Sequence, residues 1–236
     1  HGGKGEALIP ELVPPPGAVY EFWNKEKPTL DQLVFDQLDK NAYNWELESM
    51  KFAGIGKAVT QEKIAGLMGK RISNAMGHRN VHVYNLNGTE MFHLRMTKSD
   101  FNPTKFKWSF RVLPPGSKSN KDTLFTINRD QWGKGSMWMT EEWRVYRGRK
   151  RDGELLYYGV GDNYNHDFAF YRNQTDADSG KGTVLAKIRQ RRNLGYHTRW
   201  GGFANHFQLT VNPGEDSALL LVASTAIDIE NSALWR

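Results

Sequence analysis

The sequence predicts a mainly β fold of the α+β class, with one buried helix near its C-terminal end. Alternating or aromatic-rich runs recur about every ten to fifteen residues, separated by Gly, Asn or Asp, which is the spacing of a meander that closes into a barrel. The 12% aromatic content and 23 glycines suit a sheet with many turns. One segment, 218–229, is apolar nearly all round, so we expect a helix that the sheet surrounds.

The first part of the chain is predicted to differ from the rest. Residues 1–28 contain three consecutive prolines and a Gly-rich start, which indicates an extended arm that docks through its apolar residues. Residues 29–236 are expected to form a single domain, of which 29–79 is partly helical. Apolar residues at helical spacing predict helices over 29–40 and 60–76.

From residue 80 onward the sequence has the character of β structure. Two alternating runs joined at Asn87-Gly88 predict a hairpin over 80–96, because this dipeptide favours the tight turns of two-residue hairpins. One strand is predicted before the hairpin, at 45–52. Further strands are predicted after it, at 105–113, 122–128, 136–139, 143–147, 154–160, 167–171, 184–192 and 206–211.

The segment 184–230 carries the clearest pattern in the chain. In 184–192 the apolar Val184, Ala186 and Ile188 alternate with cations, as in a half-buried strand, and 206–211 alternates again. Asn212-Pro213-Gly214 then indicates a turn. Acidic residues follow at the expected start of the helix, where free backbone N–H groups favour negative charge. At about a dozen residues, the helix is shorter than the ~20 that span a bilayer.

The strings VLAKIRQRR and HFQLTVNPGEDSALLLVASTAIDIE resemble the C-terminal part of the tubby C-terminal-like superfamily, and in particular its LURP-one-related and phospholipid-scramblase-like members. Pro213, Gly214, Asp216 and Asp228 stand at the positions of that pattern, and the best-matched region is 80–230. The resemblance implies a closed antiparallel β-barrel of about twelve strands around a buried hydrophobic C-terminal helix. Its motifs are structural, so they speak to fold more than to function.

Two groups of cations are candidate binding residues. Alternation places cations on one face of the strand at 184–192, about 6.6–7 Å apart, which is close to the spacing of neighbouring phosphates. A second group lies within the strand at 143–147 and in the residues that follow it. The resemblance implies that such cations bind phosphoinositide headgroups, whereas a solvated strand face and a charged hairpin loop are the more common explanation for them. The predicted headgroup ligands are Lys187, Arg189, Arg191, Arg192, Arg147 and Arg149.

Two other functions stay open at this point. Trp200 and Phe203 in a Gly-rich run predict stacking on sugars, which favours a secreted glycan-binding protein. The start at His1 and the sequons at Asn87 and Asn173 are consistent with secretion. The third alternative is a nucleic-acid-binding protein or nuclease, because the net charge of +6 favours acidic partners of any kind.

Catalytic, metal-binding and cofactor-binding motifs are not recognisable in the sequence. The chain has no cysteine, which excludes disulfides and thiolate metal sites. His1 invites comparison with a copper-binding N-terminus, and the segment 162–167 carries oxygen ligands for Ca²⁺, but a processed terminus and a turn explain them better. We therefore expect a non-enzymatic protein without metal or cofactor, located in the cytoplasm or at a membrane surface.

Overall fold

The computed structural model describes ten ranges of the chain: 7–24, 42–52, 58–73, 79–85, 88–97, 109–130, 140–149, 153–162, 167–190 and 207–234. Within them the strands are β1 (Ala18–Asn24), β2 (Ala42–Phe52), β3 (Ala58–Ser73), β4 (Arg79–Asn85), β5 (Glu90–Thr97), β6 (Ser109–Leu113), β7 (Phe125–Asp130), β8 (Thr140–Arg147), β9 (Leu155–Asp162), β10 (Asp167–Tyr171), β11 (Ala186–Gln190) and β12 (Phe207–Val211). The α-helices are α1 (Gln174–Asp178) and α2 (Ser217–Leu234), and 3-10 turns lie at Pro10–Leu12 and Asn120–Asp122.

All the strand pairs are antiparallel, and each strand pairs with its neighbours in chain order. β1 pairs with β2 on one side and with β12 on the other, for example Tyr20 opposite Val211, so the strand order closes into a ring. Antiparallel neighbours need only short turns, which agrees with the regular spacing of Gly, Asn and Asp along the sequence. The prediction of a mainly β, antiparallel fold with a C-terminal helix is confirmed.

The N-terminal segment is part of this architecture. β1 lies within the range that we predicted as an arm, and it is a full strand of the sheet. Ile9 and Leu12, which precede it, are each only 6% exposed and belong to the hydrophobic core. The arm therefore docks through apolar residues, as the sequence predicted, and its last part adds backbone hydrogen bonds.

The predicted helix over 60–76 is wrong, because residues 60–73 lie in the sixteen-residue strand β3. Its backbone pairs with β2 on one side and with β4 on the other. Two ladders of interstrand hydrogen bonds outweigh a weak helical preference, which tertiary context overrides. Gly66 and Gly69 were the missed signal, since each glycine disfavours a helix interior by about 1 kcal/mol. The other predicted helix, at 29–40, lies outside the described residues.

Helix α2 fills the core. All the side chains from Ala218 to Ile227 are at most 3% exposed, and none of these ten residues faces solvent. A helix that is buried on every side must have other elements on every side. The apolar members of this stretch pack in one cluster with inward residues of the strands, such as Phe92, Phe168 and Leu209. The predicted buried C-terminal helix is confirmed.

Most of the strands predicted after residue 80 are present, with shifted ends. The hairpin comprises β4 and β5, and Gly88 has a φ of +79°, a conformation that glycine adopts without strain. β10 has the predicted bounds. Of the strand predicted at 105–113, the described part is β6, and the strand predicted at 136–139 lies in an undescribed range. In the described part of the chain, no helix is both long and apolar enough to cross a membrane.

Candidate functional site

Strand β11 presents its cations on the outer face of the sheet. Ala186 and Ile188 are 2% and 3% exposed and belong to the core, whereas Lys187 is half-buried and Arg189 is exposed. The predicted alternation is therefore confirmed for these four residues. It does not extend to Val184, which precedes the strand and is half-buried, because Leu185 takes the buried position beside it.

One acidic residue lies beside these cations. Lys187 Nζ is 3.5 Å from Asp167 Oδ1, and the two side chains are 35% and 49% exposed. Asp167 is the first residue of β10, which pairs directly with β11. Arg189 forms no ion pair with any residue in the described ranges. Among the described residues, the outer face of β11 thus offers one weakly paired cation and one cation without an ion pair.

The second predicted group lies at the end of β8 and in the turn that follows. The Arg147 guanidinium donates a hydrogen bond of 2.9 Å to Glu154 Oε2 and lies 5.8 Å from the centre of the Phe125 ring. Arg149 is exposed. Arg147 is therefore held by a carboxylate and a ring.

The two groups of cations lie far apart. The registers place Lys187 opposite Ala169, then Val160, then Glu142 on β8. Arg147 is five residues further along β8, which corresponds to about 17 Å along the strand, and three strand spacings add about 14 Å across the sheet. One headgroup cannot contact both groups, so the structure supports two separate surfaces.

Several candidate residues lie outside the described residues. Among them are the remaining predicted headgroup ligands Arg191 and Arg192, the predicted stacking residues Trp200 and Phe203, and His1. Trp143, by contrast, is described and is fully buried in the core. In the segment 162–167, the described Asp167 pairs with Lys187.

A buried ion pair joins Arg129 on β7 to Glu141 on β8, and their side chains are 2% and 3% exposed. The Trp143 indole N–H also donates a hydrogen bond of 3.2 Å to Glu141 Oε2. Burial raises the pKa of Glu141, whereas the Arg129 guanidinium and the hydrogen bond from the Trp143 N–H lower it. These contacts satisfy the carboxylate from inside the core, so we interpret the pair as structural.

Two polar groups on the outer face were not found from the sequence. Arg95 and Arg111 lie directly opposite each other on β5 and β6, and Arg95 donates to the carbonyl oxygens of Lys118 and Ser117. No sequence signal predicted this pair, because the register between β5 and β6 cannot be read from the segment that joins them.

The other missed group consists of His82, Glu90 and His93, on the hairpin of β4 and β5. In this case the sequence did contain a signal for the juxtaposition of the two histidines. His82 lies five residues before Asn87 and His93 five residues after Gly88, so a hairpin centred on that dipeptide places them opposite each other.

The comparisons with known proteins bear on the fold. A family model described as LURP-one-related matches residues 49–228, which includes most of the described strands and the apolar part of α2. Neither the curated proteins nor the solved structures gave a match. The match begins about thirty residues earlier than the resemblance seen in the sequence, and so takes in part of β2 and all of β3. The chain belongs to the LURP-one-related family, within the tubby-like superfamily.

Proposed function

We propose that the chain is a non-enzymatic binding protein that recognises anionic phospholipid headgroups through the outer face of β11. The observation that carries the proposal is the pair of outward cations, Lys187 and Arg189, on a strand whose other face is fixed in the core. Side chains two residues apart on a strand are about 6.6–7 Å apart, which suits two phosphate groups. Membership of the tubby-like superfamily agrees with a binding role and leaves the ligand open.

The electrostatics of this face favour replacement of the Asp167 carboxylate, which now pairs with Lys187, by a phosphate group. The Lys187–Asp167 pair is solvent-exposed, and such pairs contribute about 0–1 kcal/mol because water screens them. A phosphate group offers more negative charge and more acceptor oxygens than one carboxylate, and Arg189 can bind it bidentately. Arg191 and Arg192 follow β11 in the sequence, so the proposal includes them as further ligands.

The test is sedimentation with vesicles of phosphatidylcholine that contain a phosphatidylinositol phosphate, over a series of salt concentrations. The variant Lys187→Glu/Arg189→Glu lowers the formal net charge from +6 to +2. Lys118→Glu/Lys121→Glu, at two exposed positions elsewhere, gives the same charge and serves as the matched control. Arg147→Glu/Arg149→Glu tests the second surface.

We expect the wild type and the control to bind at low salt, and the β11 variant to lose binding. Binding should weaken as salt rises, because screening reduces attraction between exposed charges. Equal loss in all the charge-changed variants would indicate attraction by net charge alone and would contradict the proposal. Loss of vesicle binding only in the Arg147→Glu/Arg149→Glu variant would show that the headgroup binds at the end of β8 and not at β11. Binding to vesicles implies a peripheral location at a membrane.

A further inference from the structure

Two histidines and a glutamate converge on the outer face of β4 and β5. His82 and His93 are directly opposite each other on the paired strands, and their rings stack with centroids 5.0 Å apart. Glu90 Oε1 lies 2.9 Å from His82 Nδ1 and 3.3 Å from His93 Nδ1. One ligand atom from each of the three residues lies within 4.8 Å of the other two. Two imidazole nitrogens and one carboxylate oxygen therefore lie close together.

His93 is the unusual member of this cluster. Its side chain is 2% exposed, and neither ring nitrogen has a hydrogen-bond partner with proper geometry among the described residues. A buried polar group without a partner is costly, and native structures rarely retain one without a reason.

We propose that His82, Glu90 and His93 bind a divalent transition-metal ion, for which Zn²⁺ is the best chemical match. Tetrahedral zinc sites have bonds of about 2.0–2.1 Å to nitrogen and oxygen, which places neighbouring ligand atoms about 3.3 Å apart. The two measured separations from Glu90 Oε1 lie close to this value. Ca²⁺ and Mg²⁺ prefer sets of oxygen ligands, so the two imidazoles disfavour them.

The position of the cluster allows an ion to enter. The side chains of His82 and Glu90 are each 23% exposed, whereas His93 lies beneath them. Both strands are held by neighbours on the far side, since β4 pairs with β3 and β5 with β6. The ligands thus stand on a rigid hairpin inside a larger sheet, and three protein ligands leave one tetrahedral position for water.

The proposal is tested by titrating the untagged chain with Zn²⁺ and with Co²⁺, whose visible absorption reports tetrahedral coordination. The double variant His82→Gln/Glu90→Gln removes the two accessible ligands and leaves the buried His93 in place. Glu154→Gln, at an exposed carboxylate, and His197→Gln serve as controls for the loss of one carboxylate and one histidine.

We expect one equivalent of metal, a tetrahedral Co²⁺ spectrum and a higher Tm in the presence of Zn²⁺, because an ion that binds only the folded state stabilises it. The double variant should bind the metal at least about tenfold more weakly, because the loss of even a group that only hydrogen-bonds to a metal ligand lowers metal affinity by that factor. Both controls should bind like the wild type. Unchanged binding by the double variant, or no binding by the wild type, would overturn the proposal. In the second case the cluster is a stacked pair of histidines, of which His82 shares a hydrogen bond with Glu90.

Discussion

At the scale of single residues, burial separates the charges that can bind a ligand from those that hold the fold. The Lys187–Asp167 pair is exposed, so it contributes little to stability and its members can exchange partners. The Arg129–Glu141 pair is buried beside Trp143, and breaking such a pair costs about 3–5 kcal/mol because one charge is left uncompensated. Cations on β11 are thus suited to binding, and Arg129 is suited to structure.

The ion pair of Lys187 gives the first prediction. Asp167→Asn removes the negative charge beside Lys187, so the β11 surface should attract anionic headgroups more strongly. We expect vesicle binding to tighten by up to about fivefold, which corresponds to the roughly 1 kcal/mol of an exposed pair. Asp178→Asn, at an exposed position on α1, is the control and should have a smaller effect. Weaker binding by Asp167→Asn would show that Asp167 helps to position the ligand.

The raised pKa values of two tyrosines allow a prediction of how the stability of the fold depends on pH. Burial raises the pKa of both Tyr157 and Tyr158 above the usual value, and the negative charges of Glu215 and Glu142 respectively act in the same direction. Because the folded state holds these protons more tightly than the unfolded state, their contribution to stability is complete below about pH 10 and is lost as the pH rises further.

The free energy of unfolding should therefore fall above about pH 10. Measured with urea, this fall should be smaller in Tyr158→Phe. Ultraviolet titration of the nine tyrosines should show that at least two stay protonated until the chain unfolds. If all nine ionise near pH 10 while the fold persists, the assigned environments of Tyr157 and Tyr158 are incorrect.

At the scale of elements, Asp216 joins the N-terminal segment to helix α2. Its Oδ1 atom accepts a hydrogen bond of 2.9 Å from the Leu219 backbone N–H, and Oδ2 accepts one of 2.7 Å from the Leu8 N–H. The Tyr157 hydroxyl accepts a bond from the Asp216 N–H. Burial raises the pKa of Asp216, and the backbone N–H groups of Leu8 and Leu219 oppose this shift.

Replacing this carboxylate should destabilise the fold. We expect Asp216→Ala to lower the free energy of unfolding by about 1–2 kcal/mol, because the helix loses its capping acceptor and the Leu8 N–H loses its partner. Asp216→Asn retains one acceptor oxygen and should recover much of this loss. Urea unfolding of the two variants is the measurement, and an Ala variant as stable as the wild type would refute the capping role.

Elements differed in how well the sequence predicted them. The hairpin at Asn87-Gly88 and the alternation of Ala186 and Ile188 with cations were predicted correctly, because each depends on local chemistry. The strand β3 was missed because its pairing with β2 and β4 is not local, and its apolar spacing also fits a helix. The cluster of His82 and His93 was missed although the predicted hairpin already placed the two residues opposite each other.

At the scale of the whole molecule, the buried helix determines whether the sheet has a core. Leu220 is fully buried and belongs to the cluster that joins α2 to the strands. An aspartate there would place an unpaired charge in an apolar interior. The free energy needed to bury such a charge exceeds the stability of a typical domain. We expect Leu220→Asp to abolish folding, as measured by circular dichroism and solubility.

The conservative variant provides the control for this prediction. Leu220→Ala removes apolar volume without adding charge, and should lower the free energy of unfolding by about 2–5 kcal/mol while the fold persists. A soluble Leu220→Asp protein with the stability of the wild type would contradict the account of α2 as the core of the sheet.

The location of the proposed binding surface could be predicted only in part. The sequence correctly placed Lys187 and Arg189 on an outward face, since alternation along one strand is local. It could not show that Arg147 lies far away along β8, because that distance depends on the registers of β8 to β11. Nor could it show that Asp167 partly neutralises Lys187.

The most direct test of the account is an NMR titration of the folded chain with inositol trisphosphate, a soluble form of the proposed headgroup. We predict saturable changes in backbone amide shifts that are largest at Lys187, Arg189 and the neighbouring Asp167, and that are absent in Lys187→Glu/Arg189→Glu. Changes confined to Arg147 and Arg149, or none at low salt, would contradict recognition of anionic headgroups by the outer face of β11.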